Sequence, residues 1–301
     1  MKRNIPLMLL LFLALVFTQC TQPETFEFVF MTDIHLQPER RGTEGFATAI
    51  ETVNELNPDF VLTGGDLIMD ALGVSYARAD SLFEMYLNLS QNFQMPVYNT
   101  IGNHEVFGLY EKSGISPQHE QYGKVMYLDR MDYEMPYYSF DHQGWHFMVL
   151  DGIGFTPERR YYGHIDSLQM QWIQNDLATV DPRIPIVVST HIPLVSVYGQ
   201  MVKGANYGMS QGEVVTNAKD VLQLFENHNL KLVLQGHLHE VEEIIYKGTH
   251  FITAGAVSGE WWKGPRDGFP EGFALIKTQG DEFTWSYETF GWDAENSEKR
   301  E

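Results

Sequence analysis

Cysteine is nearly absent: Cys20 is the single one in 301 residues, so no disulfide can form within the chain. Basic residues are scarce as well. Twenty Lys and Arg stand against 40 Asp and Glu, a formal net charge of −20, and such a chain lacks the basic face that binding a nucleic-acid backbone normally requires. Nucleic acid is therefore not expected as a partner. Phosphate substrates stay open, because bound metal ions reverse the field locally. Elsewhere the acidity reads as a solvated surface. No low-complexity tract and no internal repeat is found, which leaves an aromatic-rich globular composition. The apolar run Ile5–Phe17 is too short for a comfortable transmembrane helix.

That run does suit the core of a secretory signal, since Lys2 and Arg3 precede it and Cys20 follows. The arrangement resembles a bacterial lipoprotein signal, in which the cysteine is lipidated and becomes the new N-terminus. Gln19 departs from the small residue usual before that cysteine, and simple secretion or an uncleaved anchor are the alternatives. The expected organisation is a signal peptide over 1–19, a tether over 20–25, a catalytic domain over 26–292 and a charged tail over 293–301. The expected location is across the inner membrane, lipid-anchored through Cys20, in the periplasm or at the outer membrane or cell surface.

Five short polar clusters each stand just beyond an expected strand: Asp33-Ile34-His35, Gly64-Gly65-Asp66, Gly102-Asn103-His104-Glu105, Thr190-His191 and Gly236-His237-Leu238-His239. Any one of them alone reads as a turn or a cap. Together they offer two carboxylates, one amide and four imidazoles, with His104 left over, the inventory of a two-metal hydrolytic centre. Asp33 and His35 lie at i and i+2, so in an extended segment both point the same way toward one metal. Strands are expected at Phe26–Met31, Phe60–Thr63, Pro96–Ile101, Pro185–Ser189 and Leu230–Leu234, with helical spacing over Phe46–Leu56 and Asp80–Leu89 between the first three. Such βαβαβ alternation implies a parallel core with sites at the carboxyl ends of its strands.

Asp66 needs the sharp turn that Gly64-Gly65 permits. Residues 105–136, with Tyr110, His119, Tyr122, Tyr127 and Tyr133 among Gly, Pro and charges, read as an insertion over the site rather than core. An antiparallel pair is expected at Tyr137–Phe140 and Trp145–Leu150, with His142 and His146 as turn and strand-face residues. Asp166 caps a helix over Ser167–Leu177 with Leu168, Trp172 and Ile173 inward. A long loop runs from His191 to about Thr216, carrying Tyr198, Lys203 and Tyr207, before a helix over Lys219–Asn227. Val241–Tyr246, Phe251–Ala254, Phe273–Lys277 and Phe283–Thr289 read as antiparallel strands completing a second sheet.

The ordered clusters strongly resemble the calcineurin-like metallophosphoesterase superfamily over about residues 26–290. Gly163-His164-Ile165 followed by Gln171-Trp172-Ile173 resembles a helix opening of its phosphodiesterase-like branches. The resemblance implies an α/β fold, a four-layer α/β/β/α sandwich with two mixed β-sheets. It also implies two divalent transition-metal ions, Mn, Fe or Zn. Asp33, His35 and His239 would hold one, Asn103, His191 and His237 the other, and Asp66 would bridge. Ions about 3.5–4 Å apart acidify a shared water to hydroxide that attacks phosphorus, while His104 protonates the leaving group. Asp66 and His104 are thus the catalytic candidates, and Glu105 supports His104 or its loop. Purple acid phosphatases carry a tyrosine three residues after the bridging aspartate; Met69 stands there, which puts a ferric site of that type in doubt.

The function implied is hydrolysis of small-molecule phosphoesters, with phosphodiesters favoured. Phosphomonoesterase or protein phosphatase activity on the same fold, and a non-catalytic surface-binding lipoprotein, are the alternatives. In Gly259-Glu260-Trp261-Trp262-Lys263-Gly264-Pro265, flanking glycines and proline mark a loop. There Trp262 is expected to offer an aromatic face to substrate, and Lys263 or Arg266 a charge.

Overall fold

The computed structural model describes residues 24–294. The signal segment, Cys20, most of the tether and the end of the charged tail lie outside the described residues. The chain begins with β1 (Glu27–Met31), α1 (Gly42–Leu56), β2 (Phe60–Thr63), α2 (Tyr76–Ser90) and the short β3 (Val97–Tyr98). β1, β2 and β3 pair in parallel, as the alternation implies. Next come α3 (Val125–Met131), the hairpin β4 (Tyr138–His142) and β5 (Trp145–Val149), the small pair β6 (Ile153–Phe155) and β7 (Tyr161–Gly163), and α4 (Ser167–Leu177). β8 (Pro185–Ser189), α5 (Tyr198–Lys203), α6 (Ala218–Leu224) and β9 (Asn229–Gln235) follow. The chain closes with β10 (Val241–Tyr246), β11 (Thr249–Ala254), β12 (Gly272–Gln279) and β13 (Glu282–Thr289).

Two large mixed sheets result, with strand orders β13-β12-β1-β2-β3 and β10-β11-β9-β8-β5-β4. Their facing sides meet in an aromatic core. Phe28 stacks on Phe60 at 5.0 Å, and Phe60 meets Phe147 of the opposite sheet edge-on at 5.3 Å. Leu62, Val149, Val187, Leu232 and Ile276 fill the rest. Helices cover the outer faces. Phe46, Ile50 and Val53 of α1 and Leu82 and Phe83 of α2 pack with Val29, Met31 and Val61, while Ile173 of α4 and Val221 of α6 pack with Met148, Val188 and Val233. That is the α/β/β/α layering expected.

Three expectations are corrected. The last four strands do not complete one sheet: β10 and β11 extend the second, with β11 parallel to β9, whereas β12 and β13 return to the first. β12 is buried on both faces, so it needs the inner position beside β1, and the alternating β13 takes the edge. Residues 105–136 are not wholly an insertion, because α3 docks on the core with Met126 and Tyr127 fully buried. In α4, Asp166 does cap Gln169 N–H at 2.8 Å, but Leu168 is 70% exposed. Position 168 faces away from the stripe set by Ile173 and Leu177.

Candidate metal centre

The five clusters converge at the carboxyl ends of β1, β2, β8 and β9 and at the turn after β3. Extended alternation does not bring Asp33 and His35 together. Both are left-handed, at φ 55° and 43°, as are Asp66 (51°), His237 (72°) and His239 (59°). For non-glycine residues this conformation costs about 1–2 kcal/mol each, and it persists where the surroundings over-determine it, commonly at functional sites. Here Asp33 N–H donates to Gly65 O and His35 N–H to Asp66 O, so the two loops lock each other. Gly65, at φ 90°, has no room for a side chain: a Cβ there would lie 2.8 Å from both Gly102 N and His191 Nδ1.

Two groups of donor atoms face one another. In the first, His239 Nε2 is 3.1 Å from Asp33 Oδ1 and 3.0 Å from His35 Nε2. In the second, His191 Nε2 is 3.1 Å from Asn103 Oδ1, 3.2 Å from His237 Nδ1 and 3.1 Å from Asp66 Oδ2. Asp66 Oδ2 is also 3.6 Å from His35 Nε2, so it belongs to both. The arrangement suits cations. Asp33 Oδ1 is buried and accepts no hydrogen bond, and imidazole nitrogens meet at 3.0–3.2 Å with carboxylate oxygens around them. Neutral lone pairs repel at that range unless a proton or metal lies between, and the donor set of imidazole, carboxylate and amide is one that divalent transition metals take.

Three of the four imidazole candidates are aimed by their other end, whereas His35 Nδ1 is buried with no hydrogen-bond partner. His239 Nδ1 donates to Gly259 O at 2.6 Å, His191 Nδ1 to Gly64 O at 2.8 Å and His237 Nε2 to Gly212 O at 2.9 Å. An N–H committed to a carbonyl leaves the opposite nitrogen with its lone pair for a metal. Asp33 spends Oδ2 on Thr32 Oγ1 and His237 N–H, and Asp66 spends Oδ1 on His104 N–H. Burial alone would raise both carboxyls. The imidazoles outweigh it, His239 for Asp33 and His191 for Asp66, and hold both below the usual carboxylate range. Burial lowers His191, yet Asp66 more than reverses that and lifts it to about 9.

His104 differs from the other imidazoles. Its side chain is 20% exposed, its Nδ1 bonds Met69 O, and its Nε2 stands 3.9 Å from Asp66 Oδ2 at the opening. With His35 and Asp66 it forms a third group able to approach a cation. Glu105 supports the loop, as expected, and its means were not legible in the sequence. Its buried carboxylate accepts from the N–H groups of Asp66, Leu67, Ile68 and Gly102 at 2.7–3.2 Å. Burial, then the charge of Asp66, push it up to about 7 against those four donors.

All seven expected ligands and His104 therefore meet in one place. His142 and His146 lie elsewhere, the latter between Asp141 and Asp176 at 2.7 Å each. Tyr207 and Lys203 bind Glu213 rather than the centre, bracing the loop that carries Gly212. The tryptophan expectation is corrected. Trp262 is 1% exposed and donates its indole N–H to His35 O, so it belongs to the core. Trp261 is the one beside the site, its ring 5.4 Å from His239 and 6.2 Å from His35. Adjacent tryptophans carry no periodicity that tells the two apart.

A family model described as calcineurin-like phosphoesterase matches residues 26–241. A probable cyclic nucleotide phosphodiesterase of Moraxella catarrhalis is 24% identical over 74% of this chain and 75% of its own length. A UDP-2,3-diacylglucosamine hydrolase of Vibrio atlanticus is 23% identical over 77% of this chain and 88% of its own. Among solved structures, a dimetal phosphatase of Danio rerio superimposes with a TM-score of 0.63 at 15% identity, covering 88% of this chain and 96% of that one. At that identity the likeness concerns the fold.

Proposed function

The chain belongs to the calcineurin-like phosphoesterase family, and from that premise we propose that it hydrolyses phosphodiesters with two divalent metal ions. Asp33, His35 and His239 would hold one ion, Asn103, His191 and His237 the other, and Asp66 would be shared. The observation that carries this reading is Asp66 Oδ2, one carboxylate oxygen facing donor atoms of both groups at 3.1 and 3.6 Å. When bound, such ions supply Lewis acidity toward phosphoryl oxygens and lower the pKa of a water molecule. The protein's own residues do the rest. The carbonyls of Gly259, Gly64 and Gly212 fix three imidazoles, and Glu105 fixes the Asp66 loop. His104, steadied through Nδ1 by Met69 O, presents Nε2 at the opening and gives its proton to the oxygen that departs as the P–O bond breaks. Because His104 N–H also holds Asp66 Oδ1, acid and shared carboxylate keep a fixed separation.

A preference for diesters is supported by the name of the Moraxella relative and by the Gly163-His164-Ile165 opening. Protein reconstituted with Mn, Fe(II) or Zn should bind about two ions per chain, cleave bis-p-nitrophenyl phosphate faster than p-nitrophenyl phosphate, and lose both activities on chelation. Full activity without metal would sink the centre, and cleavage of the monoester alone would move the reading to a phosphomonoesterase.

The N-terminal pattern supports export and a lipid on Cys20. Cys20→Ser should release the protein from the membrane fraction or block its processing. Unchanged attachment and mature mass would remove the lipid from this account.

A further inference from the structure

The loop after β11 does two jobs with two neighbouring indoles. Trp262 is its anchor. The ring fills a notch on α1 cut by Gly42 and Gly45, where a Cβ on Gly45 would lie 2.2 Å from it, and its N–H holds His35 O. Ser258 adds Oγ–H and N–H donors to Asp33 O, at 2.8 and 3.2 Å. Trp261 and Trp262 are both left-handed, at φ 50° and 66°. With Trp262 pinned inward, that backbone turns Trp261 the other way, beside the His239 ring and edge-on to His35. Consecutive left-handed tryptophans are costly, and packing Trp262 alone gives no reason for a second indole at the metal-ligand cluster.

Trp261 brings charge with it. The Arg266 guanidinium lies 5.1 Å from its ring centroid and Lys263 Nζ 5.3 Å away. Cations at this range are held to an indole by its quadrupole. They are notable in a chain with 20 basic against 40 acidic residues, whose overall field opposes an approaching anion. Lys263 is only loosely paired, 3.9 Å from Glu260 Oε1. The backbone bonds Arg266 N–H to Phe269 O and Phe269 N–H to Arg266 O close the turn that sets the guanidinium.

We propose that Trp261, Lys263 and Arg266 form a subsite for a second anionic group of the substrate. The preferred ester is then one in which the scissile phosphorus is part of a diphosphate. This rests on the phosphoesterase reading above and adds the substrate class. The phosphoryl group that reacts would lie at the two donor groups, against the ions that those residues would hold. The two cations, carried on the indole beside His239, receive the neighbouring phosphate, and Arg266 offers a planar fork suited to it.

The test compares two substrates on metal-loaded full-length protein: bis-p-nitrophenyl phosphate, with one charge, and a nucleoside diphosphate sugar. Wild type should favour the second in kcat/KM. Arg266→Ala and Lys263→Ala should each lower the ratio of the two kcat/KM values about tenfold, mainly through KM for the diphosphate, with metal content retained. Trp261→Ala should do likewise and Trp261→Phe should recover most of the ratio. A second readout needs no turnover. ADP should quench tryptophan fluorescence of the metal-stripped protein, and the quench should disappear in Arg266→Ala and Trp261→Phe. Equal losses on both substrates, or no quench by ADP, would overturn the subsite. A subsite that binds ADP in a protein that cleaves no phosphoester would instead overturn the reading beneath it.

Discussion

Asp66 sets one oxygen against two donor groups and the other against the His104 N–H, so it touches both halves of the proposed centre and the proposed acid. Asp66→Asn removes the charge and leaves one acceptor oxygen. It should drive metal content toward zero and lower kcat on bis-p-nitrophenyl phosphate at least about a hundredfold. Asn103→Ala, confined to one group, should retain close to one ion. Two ions and near-normal turnover in Asp66→Asn would take Asp66 out of the bridge. Glu105 calls for a different readout, since its four N–H contacts serve the backbone. Glu105→Gln substitutes an NH2 for one accepting oxygen and sets it against donors that are themselves buried. The expected cost is about 2–4 kcal/mol, the scale of one or two unsatisfied buried groups, read from the urea midpoint, and an unmoved midpoint would remove Glu105 from its supporting role. The residue types of the candidate ligands and their order were legible in the sequence. Their left-handed backbones were not, because nothing in Asp33-Ile34-His35 or His237-Leu238-His239 marks φ > 0 as a glycine would.

At the level of elements, β2 and α4 were legible to the residue, one as an uninterrupted apolar run and the other through its aspartate cap. α3 was not, since seven residues give too short a period. Nor was the sheet to which β12 belongs, because its partner β1 lies some 250 positions earlier, as in the Phe26–Thr278 bonds. Local pattern reports burial, and which strand supplies it is a long-range matter. The Trp262 notch gives a prediction in which two effects oppose. Gly45 lies inside α1, where Ala is favoured by about 1 kcal/mol. A Cβ 2.2 Å from the Trp262 ring overpacks a full core, at about 1–3 kcal/mol. Overpacking should win. Gly45→Ala should lower Tm and, through the Trp262–His35 bond, weaken retention of the ion proposed to lie at Asp33, His35 and His239. A stabilised variant with full metal content would show that the indole moves freely.

For the whole molecule, the centre links metal, protons and stability. In the metal-free fold His191 is raised to about 9, because Asp66 outweighs the effect of burial. His35 and His237 are lowered to about 3 and about 4, by burial first and then by His104 and His191 respectively. Each would titrate near 6.5 once unfolded. A raised group stabilises fully below its unfolded pKa and loses that contribution as pH climbs through its folded value, so His191 weakens the metal-free protein from about pH 6.5 to 9. The lowered pair contributes above 6.5 and loses it as pH falls. Through these three histidines, metal-free protein gains stability as pH rises toward 6.5 and loses it from there to about 9. A bound cation takes the place of the proton on His191, so loaded protein escapes the alkaline loss and gains the binding free energy as well. The Tm difference between loaded and chelator-stripped protein should widen steadily between pH 6.5 and 9. Parallel curves over that interval would mean that the His191 proton and the metal do not compete for one lone pair.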